Sequence, residues 1–278
     1  MAASLSADDP LLKQTHRDFI SGCHILHYHR VLDAYGHLSV RHPHHPDRFI
    51  MSRYIAPATI SSERDLIEYY VENAEPVDPS SPKGYSERCI HSEVLKRFPD
   101  VNAVIHSHSE AVVPYSISGV PFQAAFHMAG FLGTQIPVFD IGKHYEPGDK
   151  KDMLISNTRF GAALAACFAP EGGDSSNEPA HAVVLMRGHG FTVQGPSIMD
   201  VVLRAVYTQQ NAGIQTTALL TRAAHFGPGR QGSGEPGIVY LSEEEAEGAT
   251  DMTRRSANRP WRLWLREVEA QGLYVNMA

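Results

Sequence analysis

Hydrophobic patterns typical of helices and of strands alternate along this 278-residue chain, and that alternation constrains its fold more than any other feature. A helix predicted over residues 86–98 leads into a short apolar strand over 101–107, and a buried strand over 182–186 precedes a long helix over 197–221. Alternation of this kind favours a sheet covered by helices over an all-helical or all-strand architecture. The pattern predicts one α/β domain spanning residues 11–222.

Weaker patterns predict the remaining elements of that domain and a C-terminal addition to it. Within the domain they predict a helix within 11–33, a hairpin from 37–40 and 48–52, a strand or short helix over 65–72, a helix over 111–117, a strand over 137–140 and a helix over 159–168. Residues 223–278 are predicted to be the addition. They comprise a flexible loop rich in glycine and proline, then a C-terminal extension that packs on the domain or on a neighbouring subunit.

The net charge and the cysteine content exclude several classes of protein. With 31 acidic and 24 basic residues the chain has a formal charge of -7, the wrong sign for binding the phosphate backbone of nucleic acid. Its three widely spaced cysteines cannot close a disulfide framework and suit a reducing compartment. Asp8 and Asp9 stand where a secretory signal carries basic charge, and the longest apolar run, 161–169, is too short to cross a bilayer. We therefore expect a cytoplasmic protein with neither nucleic acid nor membrane as a partner.

Two histidine-bearing segments stand at the ends of the two apolar strand patterns. His106 and His108 are two residues apart, so on a strand both imidazoles project from the same face. Alone, such a pair is more often two hydrogen-bonded histidines than half of a metal site. His189 shifts that balance, because the glycines on either side of it allow a third imidazole to approach the same edge of the sheet. Three neutral histidines with an open position are typical of a catalytic metal centre.

Glu87 is the candidate acid or base. In the first turn of its predicted helix the positive end of the helix dipole stabilises a carboxylate, so Glu87 taken alone is better interpreted as a helix-stabilising charge. His91 follows one turn later on the same helical face, where it either hydrogen-bonds Glu87 or packs into the core.

Four motifs together resemble the class II aldolase and adducin family: Gly36-His-Leu-Ser39, Ser86-Glu87 with His91, His106-Ser-His108-Ser109 and Arg187-Gly-His189-Gly190. The resemblance implies a single αβα domain in which helices flank a mixed central sheet. It also implies that His106, His108 and His189 hold a divalent metal and that Glu87 is the general acid or base. The family's usual homotetramer, with active sites at subunit boundaries, is implied in the same way.

The family's sugar-phosphate members hold phosphate in turns of small residues that this chain has lost. His37 replaces the Asn of the first turn, Pro57 lies where the second should be, and Tyr85 replaces the first serine of a Ser-Ser-Glu triplet. The resemblance therefore implies a substrate without phosphate. Ala129 stands where the family's epimerases have an acidic residue, which argues against epimerisation. The candidate substrate-binding residues are Arg53, Lys83, Ser86 and His127.

These features favour a metal-dependent carbon–carbon lyase, with decarboxylation slightly ahead of retro-aldol cleavage. Both reactions proceed through an enolate that the metal stabilises. The expected substrate is a small hydroxy- or oxo-carboxylic acid, aromatic acids included. Zinc is the metal we expect first, with manganese and iron as alternatives, because histidine ligands do not separate the three. Two other functions remain open: an iron(II)-dependent oxygenase using the same histidines, and a non-catalytic, adducin-like interaction protein.

Overall fold

The computed structural model describes residues 9–170, 172, 177–227 and 237–278. Within them, seven strands form one sheet: β1 (His37–Arg41), β2 (Arg48–Ser52), β3 (Leu66–Tyr70), β4 (Ala103–Ser107), β5 (Val138–Phe139), β6 (Val183–Met186) and β7 (Gly190–Gly195). The α-helices of the same residues are α1 (Pro10–Tyr28), α2 (Arg88–Arg97), α3 (Val113–Ile117), α4 (Thr158–Ala166), α5 (Ile198–Phe226), α6 (Glu243–Ser256) and α7 (Asn258–Glu269).

The sheet has the order β3-β2-β1-β4-β7-β6-β5. Its neighbouring strands are antiparallel except β5 and β6, which are parallel, so the sheet is mixed. The predicted hairpin is β1 and β2. Strand β4 lies at the centre, where His106 pairs with His37 of β1 on one side and with Thr192 of β7 on the other.

Hydrophobic cores lie on both faces of the sheet. Ala103 and Ile105 of β4 belong to the core that α1 and α5 cover, whereas Val104 belongs to the core that α2 and α4 cover. Successive side chains of a strand alternate between faces, so a central strand covered on both sides is apolar at nearly every position. This arrangement confirms the prediction of a single αβα domain with a mixed central sheet.

Three elements escape the sequence-based prediction: strand β7 and the helices α6 and α7 of the C-terminal extension. Strand β7 begins and ends in glycine and carries two apolar side chains, Phe191 and Val193, so its apolar alternation is brief. Helix α6 buries little more than Ala246 and Thr253 and therefore carries a weak helical pattern, although a capping box at Ser242 and Glu245 marks its start. Helix α5 also extends beyond its predicted end. Most of the flexible loop predicted at the start of 223–278 lies outside the described residues.

The C-terminal residues pack on α1 and α5 of their own chain. The Trp264 ring of α7 lies 5.0 Å from the His29 ring and 5.9 Å from the Tyr207 ring. Further along, the Tyr274 hydroxyl is 2.9 Å from Nδ1 of His27. No helix among the described residues is long and apolar enough to cross a membrane.

Candidate metal centre

Strand pairing brings the two histidine segments together at the ends of neighbouring central strands of the sheet. His106 lies in β4 and His108 just after it, while His189 lies in the turn between β6 and β7, and β7 pairs with β4. Gly190 makes this approach feasible: a Cβ atom there would lie 1.9 Å from the Ser107 carbonyl oxygen, and its φ of 153° is one that other residues rarely adopt. The glycine therefore determines how near His189 comes to the β4 histidines.

The side chains of Glu87, His106, His108 and His189 converge on one point. Nε2 of His106 is 3.0 Å from Nε2 of His108, and Oε2 of Glu87 is 3.7 Å from Nε2 of both His106 and His189. One ligand atom from each of the four residues lies within 4.8 Å of the others. Two histidines bound tetrahedrally to zinc at about 2.0–2.1 Å have nitrogens about 3.3 Å apart, so the spacing fits a metal site.

Glu87 is held in the cluster by a hydrogen bond from outside it. It is the N-cap residue of α2, but its side chain caps no helical N–H group; its Oε1 accepts a hydrogen bond of 2.9 Å from the Ile155 N–H instead. Oε2 therefore faces the histidines. Burial raises the pKa of Glu87 to about 7, against the opposing effect of the Ile155 hydrogen bond. The helix-stabilising role is thus not the one its side chain fulfils.

Burial favours the neutral, metal-binding form of His106 and of His189. Burial lowers the pKa of His189 to about 4, and His108 nearby lowers it further. His106 is fully buried, and burial together with the neighbouring histidines holds its pKa well below the ordinary value. Neutral imidazoles and a buried carboxylate form a donor set that suits zinc, manganese or iron. The His108 side chain is 24% exposed, so the cluster opens to solvent on that side.

A chain of polar side chains behind the cluster was not anticipated from the sequence. Nδ1 of His37 lies 2.7 Å from Nε2 of His91, whose Nδ1 lies 2.6 Å from Oγ of Ser39. The His37 ring is 5.2 Å from the His106 ring. Both nitrogens of His91 therefore have partners other than Glu87, and the residue belongs to the buried core beneath the site. The contact between His37 and His106 follows from the register of β1 against β4, which the sequence alone does not give.

The predicted substrate-binding residues Arg53 and Lys83 lie on two adjacent segments. An isolated antiparallel bridge joins Arg53 to Gly84. The Arg53 guanidinium is 2.9 Å from Oδ1 of Asp65, and Nζ of Lys83 lies 4.8 Å from the centre of the Tyr54 ring. Ser86 is exposed and directly precedes Glu87. Ser86 is therefore the candidate nearest in sequence to the cluster.

The structure does not bring His127 to the cluster. It is exposed at the start of a 3-10 helix (His127–Leu132), and Ala129, Phe131 and Leu132 of that helix pack in the core of the α1 and α5 face. His106, by contrast, lies on the α2 and α4 face of the sheet, because it follows Val104 of that face by two residues in β4.

The match to a known family agrees with this geometry. The model of the class II aldolase and adducin N-terminal domain matches residues 17–216. The chain belongs to this family. Among solved structures, an aldolase II superfamily protein from Pseudomonas syringae has a TM-score of 0.71 at 17% identity and covers 96% of this chain and 97% of its own. That similarity shows the fold.

Two of the most similar curated relatives are decarboxylases by name. The chain is 54% identical over 264 residues to decarboxylase tropJ of Talaromyces stipitatus, which covers 94% of this chain and 97% of that protein. It is 31% identical over 139 residues to 3,4-dihydroxyphthalate decarboxylase of Arthrobacter keyseri, covering 47% of this chain and 48% of that protein.

Proposed function

We propose that this protein is a divalent-metal-dependent lyase that decarboxylates a small hydroxy- or oxo-carboxylic acid without a phosphate group. The observation that carries the proposal is the convergence of the His106, His108 and His189 side chains with the carboxyl group of Glu87. The full-length similarity to a decarboxylase supports decarboxylation over retro-aldol cleavage. The name of the second relative supports an aromatic acid as substrate.

A divalent metal on His106, His108 and His189 would act as a Lewis acid for the negative charge that develops when the carbon–carbon bond breaks. The open side of the cluster, beside His108, is where a substrate carrying adjacent oxygens reaches these residues. On the opposite side of the cluster, the buried His106 holds the metal in place and excludes water. The histidines thus orient the substrate and leave the proton transfer to another group.

Glu87 is the group that transfers the proton. As the bond to the carboxylate breaks, carbon dioxide leaves and the electron pair stays on the substrate carbon. The proton of the Glu87 carboxyl group passes to that carbon, and solvent restores it. In the metal-free protein, burial raises the pKa of this carboxyl group and so favours the protonated form, which is the form that acts as an acid.

The remaining parts of the proposal concern the substrate and the assembly. Lys83 and Arg53 anchor a second acidic group of the substrate, and Ser86 contributes a hydroxyl beside Glu87. His127 remains a proposed substrate-binding residue, and the proposed assembly is a homotetramer. We propose zinc as the metal, residues 11–222 as the metal-binding domain and 223–278 as its extension. The three cysteines are free thiols, which supports the cytoplasmic location predicted from the sequence.

The decisive experiment compares substrate classes on the metal-loaded protein. We would assay 3,4-dihydroxyphthalate and L-fuculose 1-phosphate side by side and measure carbon dioxide and aldehyde separately. Carbon dioxide without aldehyde, from the phthalate alone, is the expected result. The metal-free protein is the control for uncatalysed decarboxylation. Aldehyde without carbon dioxide would assign the protein to retro-aldol cleavage, and efficient cleavage of the sugar phosphate would refute the argument from the lost phosphate turns.

A further inference from the structure

Each histidine of the cluster has a different environment at its second ring nitrogen. Nδ1 of His108 lies 3.2 Å from Oδ2 of Asp33. The His189 ring hydrogen-bonds to the backbone of Met153. Nδ1 of His106 is buried and has no hydrogen-bond partner among the described residues. His108 is therefore the histidine of the three whose ring contacts a carboxylate outside the cluster.

Asp33 is held rigidly in the loop between α1 and β1. Its Oδ1 accepts hydrogen bonds of 2.8 Å from the backbone N–H groups of Tyr35 and Gly36, which leaves Oδ2 directed at His108. A carboxylate with one oxygen fixed by two backbone donors has little freedom to rotate away from its partner.

The same loop is fastened to the end of β4 that carries the histidines. Oγ of Ser107 donates a 2.5 Å hydrogen bond to the Val31 carbonyl oxygen. A Cβ at Gly36 would lie 3.1 Å from the His106 carbonyl oxygen, so the two backbones are in close contact. Gln209 of α5 joins both segments: its Nε2 donates to the carbonyl oxygen of His29, and its Oε1 accepts from Oγ of Ser109.

We propose that Asp33 is a positioning residue that orients His108 for metal binding and thereby sets the metal affinity of the cluster. The inference rests on the proposed metal site. A carboxylate at Nδ1 keeps the proton on that nitrogen, so the lone pair stays on Nε2, the nitrogen that faces the cluster. It also raises the basicity of the ring as a ligand.

Asp33→Asn tests this role with little change in shape. The amide oxygen can still accept from Tyr35 and Gly36, but its NH2 group then faces Nδ1 of His108 and favours the tautomer with the proton on Nε2. We expect the zinc affinity, measured by competition with a chromophoric chelator, to fall 10- to 100-fold. Asp47→Asn, at an exposed position in the turn at the opposite end of the β1–β2 hairpin, is the matched control and should bind zinc as the wild type does.

A cobalt(II) spectrum and thermal unfolding of the metal-free proteins separate positioning from a general structural role. Asp33→Asn should change the ligand-field bands of bound cobalt while the metal-free melting temperature stays within a few degrees of the wild type. Asp33→Ser retains a side-chain acceptor for the turn but loses the oxygen that reaches His108. If Asp33→Asn fails to fold, this variant should show the same loss of affinity.

The outcomes distinguish this inference from the proposed function. Wild-type zinc affinity and cobalt spectrum in either folded Asp33 variant would overturn the role of Asp33 and leave the metal site standing. Lower affinity with an unchanged cobalt spectrum and a much lower metal-free melting temperature would also overturn it, because Asp33 would then be structural only. Failure of the wild-type protein to bind zinc or cobalt would overturn both proposals.

Discussion

Replacing Glu87 with glutamine should change the stability of the metal-free protein in a way that depends on pH. Burial raises the pKa of Glu87 from an ordinary 4.5 to about 7. The folded protein therefore holds this proton more tightly than the unfolded chain does. The stabilisation that comes from the protonated Glu87 is complete below pH 4.5 and is lost as the pH rises through about 7. Glutamine keeps the shape and the acceptor for the Ile155 N–H group, but it has no proton to lose.

The size of the effect follows from the two pKa values. Integrating the difference in bound protons gives the loss in the wild type's free energy of unfolding, relative to low pH where Glu87 is protonated in both states. The loss is about 1 kcal/mol at pH 5 and about 3 kcal/mol at pH 8. Burial of the amide itself adds a constant that does not vary with pH. We therefore expect the stability of Glu87→Gln relative to the wild type to rise by about 2.5 kcal/mol between these two pH values. The nearby histidines titrate in both proteins, so their contribution largely cancels in the difference.

Urea unfolding measures this difference directly. The fluorescence of Trp261 and Trp264 in α7 reports the transition, and the protomer concentration is held fixed because assembly contributes to stability. Glu269→Gln, at an exposed position at the end of the same helix, is the control and should track the wild type at every pH. A constant difference between Glu87→Gln and the wild type from pH 5 to pH 8 would refute the raised pKa. With metal bound, the same variant should stay folded and lose turnover by about 10²- to 10⁴-fold.

Three further predictions test the other parts of the proposal. His108→Ala and His189→Ala should each lose most of the bound divalent metal while remaining folded, as elemental analysis and circular dichroism would show; stoichiometric metal in both would remove these residues from the site. Lys83→Met should raise KM for an acidic substrate about 10-fold and leave kcat nearly unchanged, and an unchanged KM would exclude Lys83 as an anchor. Light scattering should give the mass of a homotetramer, and a monomer at working concentration would contradict that assembly.

Residues near one another in sequence made much of the site predictable. The spacing of His106 and His108 on an apolar strand fixes their common face, and the glycines around His189 mark an unusually close turn. These signals are local in sequence, so they can be recognised without knowing the order of the strands. Glu87 was ambiguous for the opposite reason: the sequence places it at a helix start, whereas its hydrogen bond goes to Ile155, a residue 68 positions away.

Contacts made by loops are the part that sequence patterns could not give. Asp33-Ala-Tyr-Gly36 is recognisable as a turn, because an aspartate can accept from the N–H groups two and three residues later. The partner of its second oxygen, His108, is 75 residues away and depends on how α5 and β4 hold the loop. His127 shows the same difficulty, since its position relative to the cluster depends on which face of the sheet its segment covers.

The opposite pKa shifts within the cluster have one physical origin. Burial disfavours every charged form, so it raises the pKa of Glu87 and lowers those of His106 and His189. A neutral side chain can be buried without a partner ion, and the neutral form of His106 and His189 is also the form that binds metal.

The segment that contains Met153 and Ile155 links these two kinds of residue. Ile155 donates its N–H to Glu87, and the backbone of Met153 hydrogen-bonds to His189. Met153 has a φ of 70°, which a non-glycine residue adopts only when surrounding contacts hold it there. A single short stretch of backbone thus fixes the proton-transferring carboxyl group and one metal-binding imidazole relative to each other. Their separation is therefore set by the geometry of one loop and not by two independent side-chain conformations.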